Sequence, residues 1–421
     1  MLRMIQRLVA SDWMMRAISP LAGPFHPWHP DVRRDPYPTW RRLRETAPLV
    51  RVRLLGSWAA GRYSEVERIL RDPCFSTDRS GVPMVAAMRR ATRDKPDLAN
   101  LFDENLLMID GAHHARLRGL VSKAFTPRRV EGLRGRIEAI VDELLDRAAA
   151  HGAMDVVRDL ARPLPGIVIG ELLGTPRRDH ATLVRWSEQL VELLDPLSGR
   201  DGIEPPRRAT AAAAAYFRGL LAERRASPRD DLLSAMSAAE EHGESLTEGE
   251  LIALCTLVLA AGHETTVNLI GSAVLLLLRH PDERKRLQDD LGLLPTAVEE
   301  CLRFEPPVQL TDRAVVQPCE IGGVALRPGA IIAAVLAAAN RDPERFPDPE
   351  RFDVARSGER HLSFGFGNHF CLGAALARLE ARLALGGLLR RFPDFTGQTD
   401  AIEWRRSAVL RGPVAVPIAL G

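Results

Sequence analysis

The chain has 421 residues, of which 46% are hydrophobic, and its formal net charge is +2. This length and composition can fill a large core, while so small a basic excess argues against a dedicated nucleic-acid-binding protein. The five cysteines are scattered and show no CxxC spacing, which is typical of a reducing cytosol and argues against a disulfide framework. No linker composition divides the chain, so we expect an N-terminal extension over residues 1–30 and a single domain over 31–421.

The N-terminus, residues 1–10, alternates apolar side chains with Arg3 and Arg7. It is too short and too charged to span a membrane, and no convincing signal-peptide cleavage site follows it. Two interpretations stay open. The stretch is either a leader or helix packed on the domain, or a weak interfacial helix that brings residues 1–18 into peripheral membrane contact. Neither would be a transmembrane anchor.

The next hundred residues predict short, mixed elements. A helix opens after Asp35 with proline in its first turn. Residues 50–60 alternate like a small β-hairpin that turns near Gly56, and residues 63–71 return to helical spacing. Residues 74–108 show no clean period, and a long irregular segment in a compact domain is usually functional.

His114 and Arg118 are four residues apart, so on a helix they share one face and could donate to a single carboxylate. A solvated basic face is the alternative, and the neighbouring His113 makes the choice of histidine less safe than that of Arg118. Residues 126–245 then predict successive amphipathic helices, interrupted by a loop at 195–206 that is rich in Pro and Gly.

Residues 248–279 predict one long helix. Thr247 and Glu250 have the spacing of a capping box, and most later residues are apolar, which indicates a helix buried nearly all round. Its length would also suit a membrane span, but a central polar cluster from His263 to Asn268 argues against that. Gly262 could let the helix distort, so that the Thr265 hydroxyl bonds outward and not only back to its own helix.

Past this helix, charges and turns recur at close spacing. Glu300 and Arg303 share a helix face, and the double proline 306–307 ends that helix and starts an extended segment that leads to Arg313. Residues 315–338 predict β-strands, and residues 405–420 predict a last hairpin.

Residues 364–373 read FGFGNHFCLG and deliver Cys371 to the start of a helical run over 372–392. Backbone N–H groups and the helix dipole there lower the pKa of a thiol, and Gly365 and Gly367 permit backbone conformations that a Cβ would forbid. A thiolate held in this way suits an axial haem-iron ligand. The alternative for a lone cysteine is a buried structural role.

The spacing Phe-Gly-x-Gly-x-His-x-Cys-x-Gly closely resembles the haem-binding loop of the cytochrome P450 family, and further matches follow in family order from about Asp35 to the C-terminus. The resemblance implies a mostly α-helical prism with a smaller β-sheet region, built around haem b whose iron is ligated by Cys371. It also implies roles for other residues. Those expected at the haem are Phe364, Gly365, Ala261, His114, Arg118, Arg313 and His369; the proton relay would be Thr265 with Glu264; the substrate pocket would include Leu257, Ala261, Val308, Leu310 and Val409; and Glu300, Arg303 and Arg351 would form a buried structural triad.

The function implied by the resemblance is a monooxygenase that inserts one oxygen atom from O2 into a hydrophobic small molecule of lipid, terpenoid, steroid or macrolide type. No nicotinamide or flavin fingerprint occurs in the sequence, so we expect electrons from a separate ferredoxin and its reductase, in the cytoplasm. Two alternatives stay open, a peroxygenase that uses H2O2 and a non-catalytic haem-binding sensor. The ferredoxin is expected to dock on basic residues near Cys371, namely Arg116, Lys123, Arg356, Arg360 and Arg378.

Overall fold

A computed structural model describes residues 11–22, 25–53, 56–80, 86, 90, 103–123, 125–195, 204–241 and 244–420. Helices dominate these residues, as the sequence predicts. The α-helices are α1 (Asp12–Ala22), α2 (Pro30–Arg34), α3 (Tyr37–Thr46), α4 (Tyr63–Arg71), α5 (Gly111–Ser122), α6 (Pro127–Gly132), α7 (Arg134–Ala149), α8 (Pro163–Leu172), α9 (His180–Leu190), α10 (Glu204–Ala226), α11 (Leu232–Ser237), α12 (Glu248–Arg279), α13 (Pro281–Asp289), α14 (Leu294–Phe304), α15 (Leu336–Ala339) and α16 (Ala374–Arg391).

Short 3₁₀ or π turns supplement these helices, and the strands are few and short. The turns cover Val157–Ala161, Arg177–Asp179, Val191–Leu194, Leu291–Leu293 and Gly367–His369. The strands are β1 (Val50–Val52), β2 (Ser57–Ala60), β3 (Phe75–Ser76), β4 (Ala153–Asp155), β5 (Glu240–Glu241), β6 (Glu244–Ser245), β7 (Thr311–Val315), β8 (Cys319–Ile321), β9 (Val324–Leu326), β10 (Ile331–Ala334), β11 (Thr396–Gly397) and β12 (Pro417–Ala419).

The largest sheet has the strand order β1-β2-β10-β7-β3. β1 and β2 form the predicted antiparallel hairpin, with Val50 opposite Ala59, and Gly56 before β2 has a φ of +64° that favours glycine. β10 runs parallel to β2 and antiparallel to β7, so it brings Ile332 beside both Trp58 and Arg313. The sheet thereby places Arg313 on β7, between β10 and β3.

α12 crosses the helical part of the protein and separates its two large apolar clusters. One cluster packs residues of α7, α14 and α16 against α12, and the other packs residues of α5, α9 and α10 against it. The predicted capping box is present, with Thr247 and Glu250 each accepting a backbone N–H of the other. Among the described residues α12 alone is long and apolar enough to cross a membrane, but 67% of its apolar window is buried inside the protein. It is therefore a core helix.

Gly262 has a different role from the predicted one. α12 continues without interruption through this position, and the Thr265 hydroxyl donates back to the Ala261 carbonyl over 2.7 Å. A Cβ at Gly262 would lie 2.8 Å from Cδ1 of Ile169. The glycine therefore reflects how closely α8 packs on α12, where a larger residue would require Ile169 to shift, and not an opening of the helix.

Of the predicted triad, the structure brings Glu300 and Arg303 together and leaves the Arg351 side chain apart. Arg303 binds Glu300 through two hydrogen bonds of 2.7 and 2.8 Å, and both side chains are buried. The third cation is Arg356, whose Nε lies 3.2 Å from Oε1 of Glu300. Arg351 is exposed and contributes only its carbonyl oxygen, which accepts from Arg303 and Arg356. The two arginines occupy one irregular loop, where spacing alone does not show which side chain turns inward.

The described part of the N-terminal region packs on the rest of the chain. Asp12 of α1 forms ion pairs with Arg33 and Arg406 at 2.5 and 2.9 Å, and Met15 is buried while Trp13 is 71% exposed. Residues 1–10 lie outside the described residues, as do most of 81–102 and all of 196–203. The membrane contact of residues 1–18, and the division into an extension and one domain, stay predictions.

Candidate active site

The Cys371 loop is built by backbone hydrogen bonds around two left-handed glycines. Gly365 and Gly367 have φ values of +70° and +68°, and a Cβ at Gly367 would lie 3.1 Å from the Leu70 carbonyl oxygen. The Cys371 N–H donates to the Phe364 carbonyl over 2.8 Å, which closes the loop. α16 then begins at Ala374, two residues later than predicted, so Cys371 lies just before the helix.

Cys371 has accessible surface, although its thiol is surrounded by protein atoms. Its side chain is exposed, yet burial raises the pKa of the thiol, while the Gly373 N–H, Arg118 and Arg378 act to lower it. Both observations hold if the sulfur faces a cavity inside the protein. A Cβ at Gly373 would meet no atom within 4 Å, so there is open space beside the sulfur at the position where a flat cofactor is expected.

Arg313 is a buried cation that forms no ion pair with the described residues, although Asp312 and Asp110 lie near enough to act on its charge. It is 6% exposed, and its guanidinium donates only to the Thr311 hydroxyl and the Asp312 carbonyl, at 3.0 and 2.8 Å. Burial lowers the pKa of Arg313, and a buried charge is costly unless an opposite charge compensates it. Its surroundings therefore suit a carboxylate that is supplied by a bound molecule.

The structure distinguishes the two neighbouring histidines of α5. His113 Nε2 lies 2.7 Å from Glu104 Oε2 and is partly exposed. His114 is 3% exposed, and its Nε2 has no hydrogen-bond partner among the described residues; burial lowers its pKa to about 4. Arg118 donates to the Phe370 carbonyl beside Cys371. Of these two histidines, His114 therefore has a nitrogen available for a further group, and it is the one that the sequence analysis assigned to the haem.

His369 is held by a residue that the sequence reasoning missed. Its Nε2 lies 2.6 Å from Asp110 Oδ1, and its ring stacks on His114 with a centroid distance of 4.2 Å. Burial alone would raise the pKa of Asp110, but hydrogen bonds from His369, Ser76 and Thr77 hold it well below its usual range. Asp110 therefore fastens the Cys371 loop to β3. His369 Nε2 already has a partner, whereas His114 Nε2 has none among the described residues.

These residues fit haem b. The interior thiol of Cys371 suits an iron ligand, and the open space at Gly373 suits a flat macrocycle. Buried Arg313 and the His114 Nε2 that lacks a partner among the described residues suit the acidic propionates. Phe364 contributes the carbonyl that fixes Cys371, and its ring lies 4.4 Å beneath the Arg378 guanidinium. The cofactor roles of the individual side chains stay predictions.

A cavity borders the middle of α12. Its wall is predominantly apolar, with Asn105 and Thr256 as the polar exceptions. Of the predicted pocket residues, Leu257 and Ala261 line it; Val308, Leu310 and Val409 do not. The residues that the sequence reasoning did not assign to it are Asn105, Leu107, Met108, Leu190, Val191, Leu193, Leu194, Thr256 and Ala260.

The other predicted pocket residues meet elsewhere. Gln309 N–H donates to the Val409 carbonyl over 2.7 Å, and Val308 forms an isolated bridge with Leu410. The strand after the double proline and the C-terminal hairpin are therefore adjacent, as expected if both flank one substrate, but their contact with it stays a prediction.

Glu264 and Thr265 point to different partners. Glu264 is fully buried, and Arg405 Nη2 lies 2.5 Å from its Oε1. The contact is an ion pair without hydrogen-bond geometry, because neither Glu264 oxygen accepts a hydrogen bond from the described residues. Burial raises the pKa of Glu264, which Arg405 opposes. The Thr265 hydroxyl donates instead to the Ala261 carbonyl. A relay between them would need a bridging water or a side-chain rotation.

His263 is structural. Its Nδ1 lies 2.8 Å from the Ser187 hydroxyl and its Nε2 2.9 Å from the Arg162 carbonyl. Burial lowers the pKa of His263 to about 4, so the ring is neutral near pH 7.

Arg405 and Asp110 carried no local sequence signal. Only the need of a buried carboxylate and a buried histidine for partners could have suggested that such residues exist.

The chain is similar to known proteins over nearly its whole length. A family model described as Cytochrome P450 matches residues 207–405. Cytochrome P450 107B1 of Saccharopolyspora erythraea is 43% identical, over 92% of this chain and 96% of that protein. 6-Deoxyerythronolide B hydroxylase of the same organism is 40% identical, over 93% of this chain and 98% of that protein. The solved structure of Cytochrome P450 PksS of the bacillaene polyketide synthase of Bacillus subtilis matches with a TM-score of 0.87 at 37% identity, over 94% of this chain and 100% of that one.

Proposed function

The chain belongs to the cytochrome P450 family, and from this premise we propose that it hydroxylates a large apolar molecule of macrolide or polyketide type, with electrons from a separate ferredoxin and its reductase. Membership makes it a haem-dependent monooxygenase, an oxidoreductase. When bound, the haem supplies the activation of dioxygen and the oxidation of the substrate. The protein supplies the iron ligand, the cavity and the protons.

In this mechanism Cys371 holds the iron as a thiolate, which the Gly373 N–H stabilises. Arg313 would pair with one propionate, and Arg118 and His114 with the other. The cavity beside Ala261 excludes water and orients the substrate. Thr265 Oγ would then hold a proton at the reacting oxygen, and Glu264 would replace it from the protein interior.

The observation that carries the substrate class is the apolar cavity between α9 and α12. The names of two similar proteins support this class: one is a hydroxylase of 6-deoxyerythronolide B, and the other is a P450 of a polyketide synthase. Titration of the haem spin state tests the proposal. A macrolactone such as 6-deoxyerythronolide B should shift the iron to high spin at lower concentration than a steroid, a terpenoid or a fatty acid does. A stronger response to any of those three would reassign the class.

The dioxygen route, and not the H2O2-dependent alternative, is supported by the hydroxyl and buried acid on α12. Thr265→Ala should leave reduction intact and divert electrons into peroxide, so that peroxide released per NADH rises several-fold while product falls. Thr266→Ala is the matched control, since this neighbour also donates only to its own helix, over 2.9 Å. Equal coupling in the wild type and Thr265→Ala would remove Thr265 from the relay.

The surface beside Cys371 offers exposed cations for an electron donor. Arg360 is exposed and lies 4.7 Å from the Phe366 ring and 4.8 Å from the Phe370 ring, both in the Cys371 loop. Exposed Lys123 ends α5, and exposed Arg128 and Arg129 lie on α6, which packs against α16. We place ferredoxin docking on this group.

Three arginines predicted for docking are committed elsewhere. Arg116 binds Glu250, Arg356 binds Glu300, and Arg378 binds Glu299 over 2.7 Å. Reversing the charge of Arg360 and Arg128 together should slow reduction by ferredoxin and weaken its salt dependence. Arg185→Glu, on the helix that borders the cavity, is the control. Unchanged reduction rates in the double variant would refute this docking site.

We also place the enzyme in the cytoplasm, as the cysteine usage indicates. Fractionation of cells tests this: recovery of the full-length chain in the membrane pellet would instead support the predicted contact of residues 1–18.

A further inference from the structure

The wall of the cavity ends in a buried acid. Leu190 closes α9, and the 3₁₀ turn Val191–Leu194 continues the wall. Asp195 follows directly and is 6% exposed. Its Oδ2 accepts the Ser407 hydroxyl over 3.0 Å and the Ala408 N–H over 2.7 Å. The cavity wall is thereby fastened to the C-terminal hairpin.

That hairpin lies directly on α12. Its arms are joined where Val414 N–H donates to the Glu403 carbonyl over 2.8 Å and Arg405 N–H donates to the Gly412 carbonyl over 3.1 Å. A Cβ at Gly412 would overlap the amide of Asn268 on α12. Because only a glycine permits this approach, the hairpin can bring a long side chain to the buried face of the helix.

The side chain that it brings is Arg405, two residues from Ser407. Arg405 pairs with Glu264 at 2.5 Å. The other charged or titratable groups that face Glu264 are Glu188 of α9, Arg162 and His263. Arg162 is already paired with Glu188 at 2.5 Å, so Arg405 is the cation that acts most strongly on the Glu264 carboxylate.

We propose that Asp195 and Arg405 are positioning residues for Glu264: Asp195 fixes the tip of the hairpin, and the hairpin holds Arg405 against the carboxylate. The inference rests on the relay role that the proposed function gives to Glu264. In this arrangement the apolar wall, which a substrate would touch, is connected to Glu264. A displacement of the wall would move Asp195, and with it the hairpin and Arg405. Arg405 must release Glu264 before the carboxyl group can turn toward Thr265.

Infrared absorption of the protonated carboxyl group tests this on the haem-loaded protein without turnover. The C=O band that is lost in Glu264→Gln belongs to Glu264; subtraction against this variant also removes the band of buried Glu380, whose pKa burial raises to about 8. The pH midpoint of the Glu264 band should rise by about one unit or more in Arg405→Gln, because an adjacent cation lowers the pKa of a carboxyl group by that order. Arg406→Gln is the matched control, since Arg406 pairs with Asp12.

Asp195 is tested by loss and rescue. Asp195→Ala should raise the midpoint in the same direction as Arg405→Gln, and so should Ser407→Ala, which removes one hydroxyl and leaves the backbone intact. Asp195→Asn keeps an oxygen that can accept both hydrogen bonds, so it should restore the wild-type midpoint. Asp179→Asn, before α9, should change nothing. If the midpoint moves in Arg405→Gln but not in Asp195→Ala or Ser407→Ala, the role of Asp195 is overturned. If the midpoint in Arg405→Gln equals that of the wild type, the whole inference is overturned. Either outcome leaves the relay itself to be judged by Thr265→Ala.

Discussion

Arg313 is the residue whose surroundings depend most directly on the cofactor. The protein leaves its guanidinium buried and without a carboxylate, an arrangement that costs stability until an anion binds. The same reasoning explains why His114 is buried with a free Nε2. We therefore expect haem binding to supply a charge partner for Arg313 and to relieve this cost.

Arg313→Met should accordingly have opposite effects on the two forms of the protein. Removal of an unpaired buried cation should stabilise the haem-free form by roughly 1–4 kcal/mol. Loss of a charged hydrogen bond of about 1.5–3 kcal/mol should weaken haem binding about tenfold or more. Thermal unfolding of both forms and haem transfer to a scavenger protein measure the two effects.

Arg79→Met is the control for Arg313→Met, because Arg79 lies close by, is partly exposed and already has Asp312 as its partner at 2.6 Å. It should not stabilise the haem-free form. If Arg313→Met destabilised both forms equally, the residue would be part of the ordinary core and not a propionate ligand.

At the scale of elements, the loop before the Cys371 segment is anchored by one buried acid and two arginines. Glu300 accepts from Arg303, Arg356 and the Asp353 N–H, the last over 3.0 Å. Arg356 also donates to the carbonyls of Pro347 and Asp348. Two buried charges and the partly buried Arg356 hold this loop because each has its partners in place.

Arg356→Met should therefore cost roughly 1.5–3 kcal/mol of unfolding free energy, since it removes one charged hydrogen bond from Glu300, which keeps Arg303 as a partner. Arg351→Met, its matched control in the same loop, should stay within about 0.5 kcal/mol of wild type because the side chain is exposed. Chemical denaturation of the haem-loaded variants measures both. The reverse order of the two effects would restore Arg351 to the triad.

The sequence predicted elements whose signals are local and missed contacts that join distant segments. The capping box at Thr247, the hairpin at Gly56 and the glycine loop before Cys371 depend on near neighbours, and the structure has all three. Arg356 could not be separated from Arg351, nor could Asp110 be assigned to His369, because each contact spans more than fifty residues. Family resemblance supplied the cofactor; it did not supply the partners that orient its protein ligands.

For the whole molecule, burial of neutral His263 predicts a loss of stability in acid. Its pKa is about 4 when folded and 6.5 when unfolded. Between these values the unfolded chain binds more protons, so stability is full above about pH 6.5 and falls as the pH drops toward 4, by about 3 kcal/mol for this group. His114 acts in the same direction.

His263→Gln should flatten this part of the profile of unfolding free energy against pH, although it lowers stability at pH 7. His151→Gln, at an exposed position, should leave the slope as in the wild type. A slope between pH 6.5 and 4 that is identical in wild type and His263→Gln would contradict a neutral, buried His263.

The carbon monoxide difference spectrum of the dithionite-reduced protein tests the central claim most directly, because its Soret position reports the ligand opposite carbon monoxide. We expect the red-shifted band characteristic of thiolate ligation, and its disappearance in Cys371→Ser, with Cys301→Ser unchanged because that thiol is buried in the core. A band at the position of histidine or protonated-thiol ligation, or the absence of any haem band in protein supplied with haem, would contradict a Cys371-ligated monooxygenase.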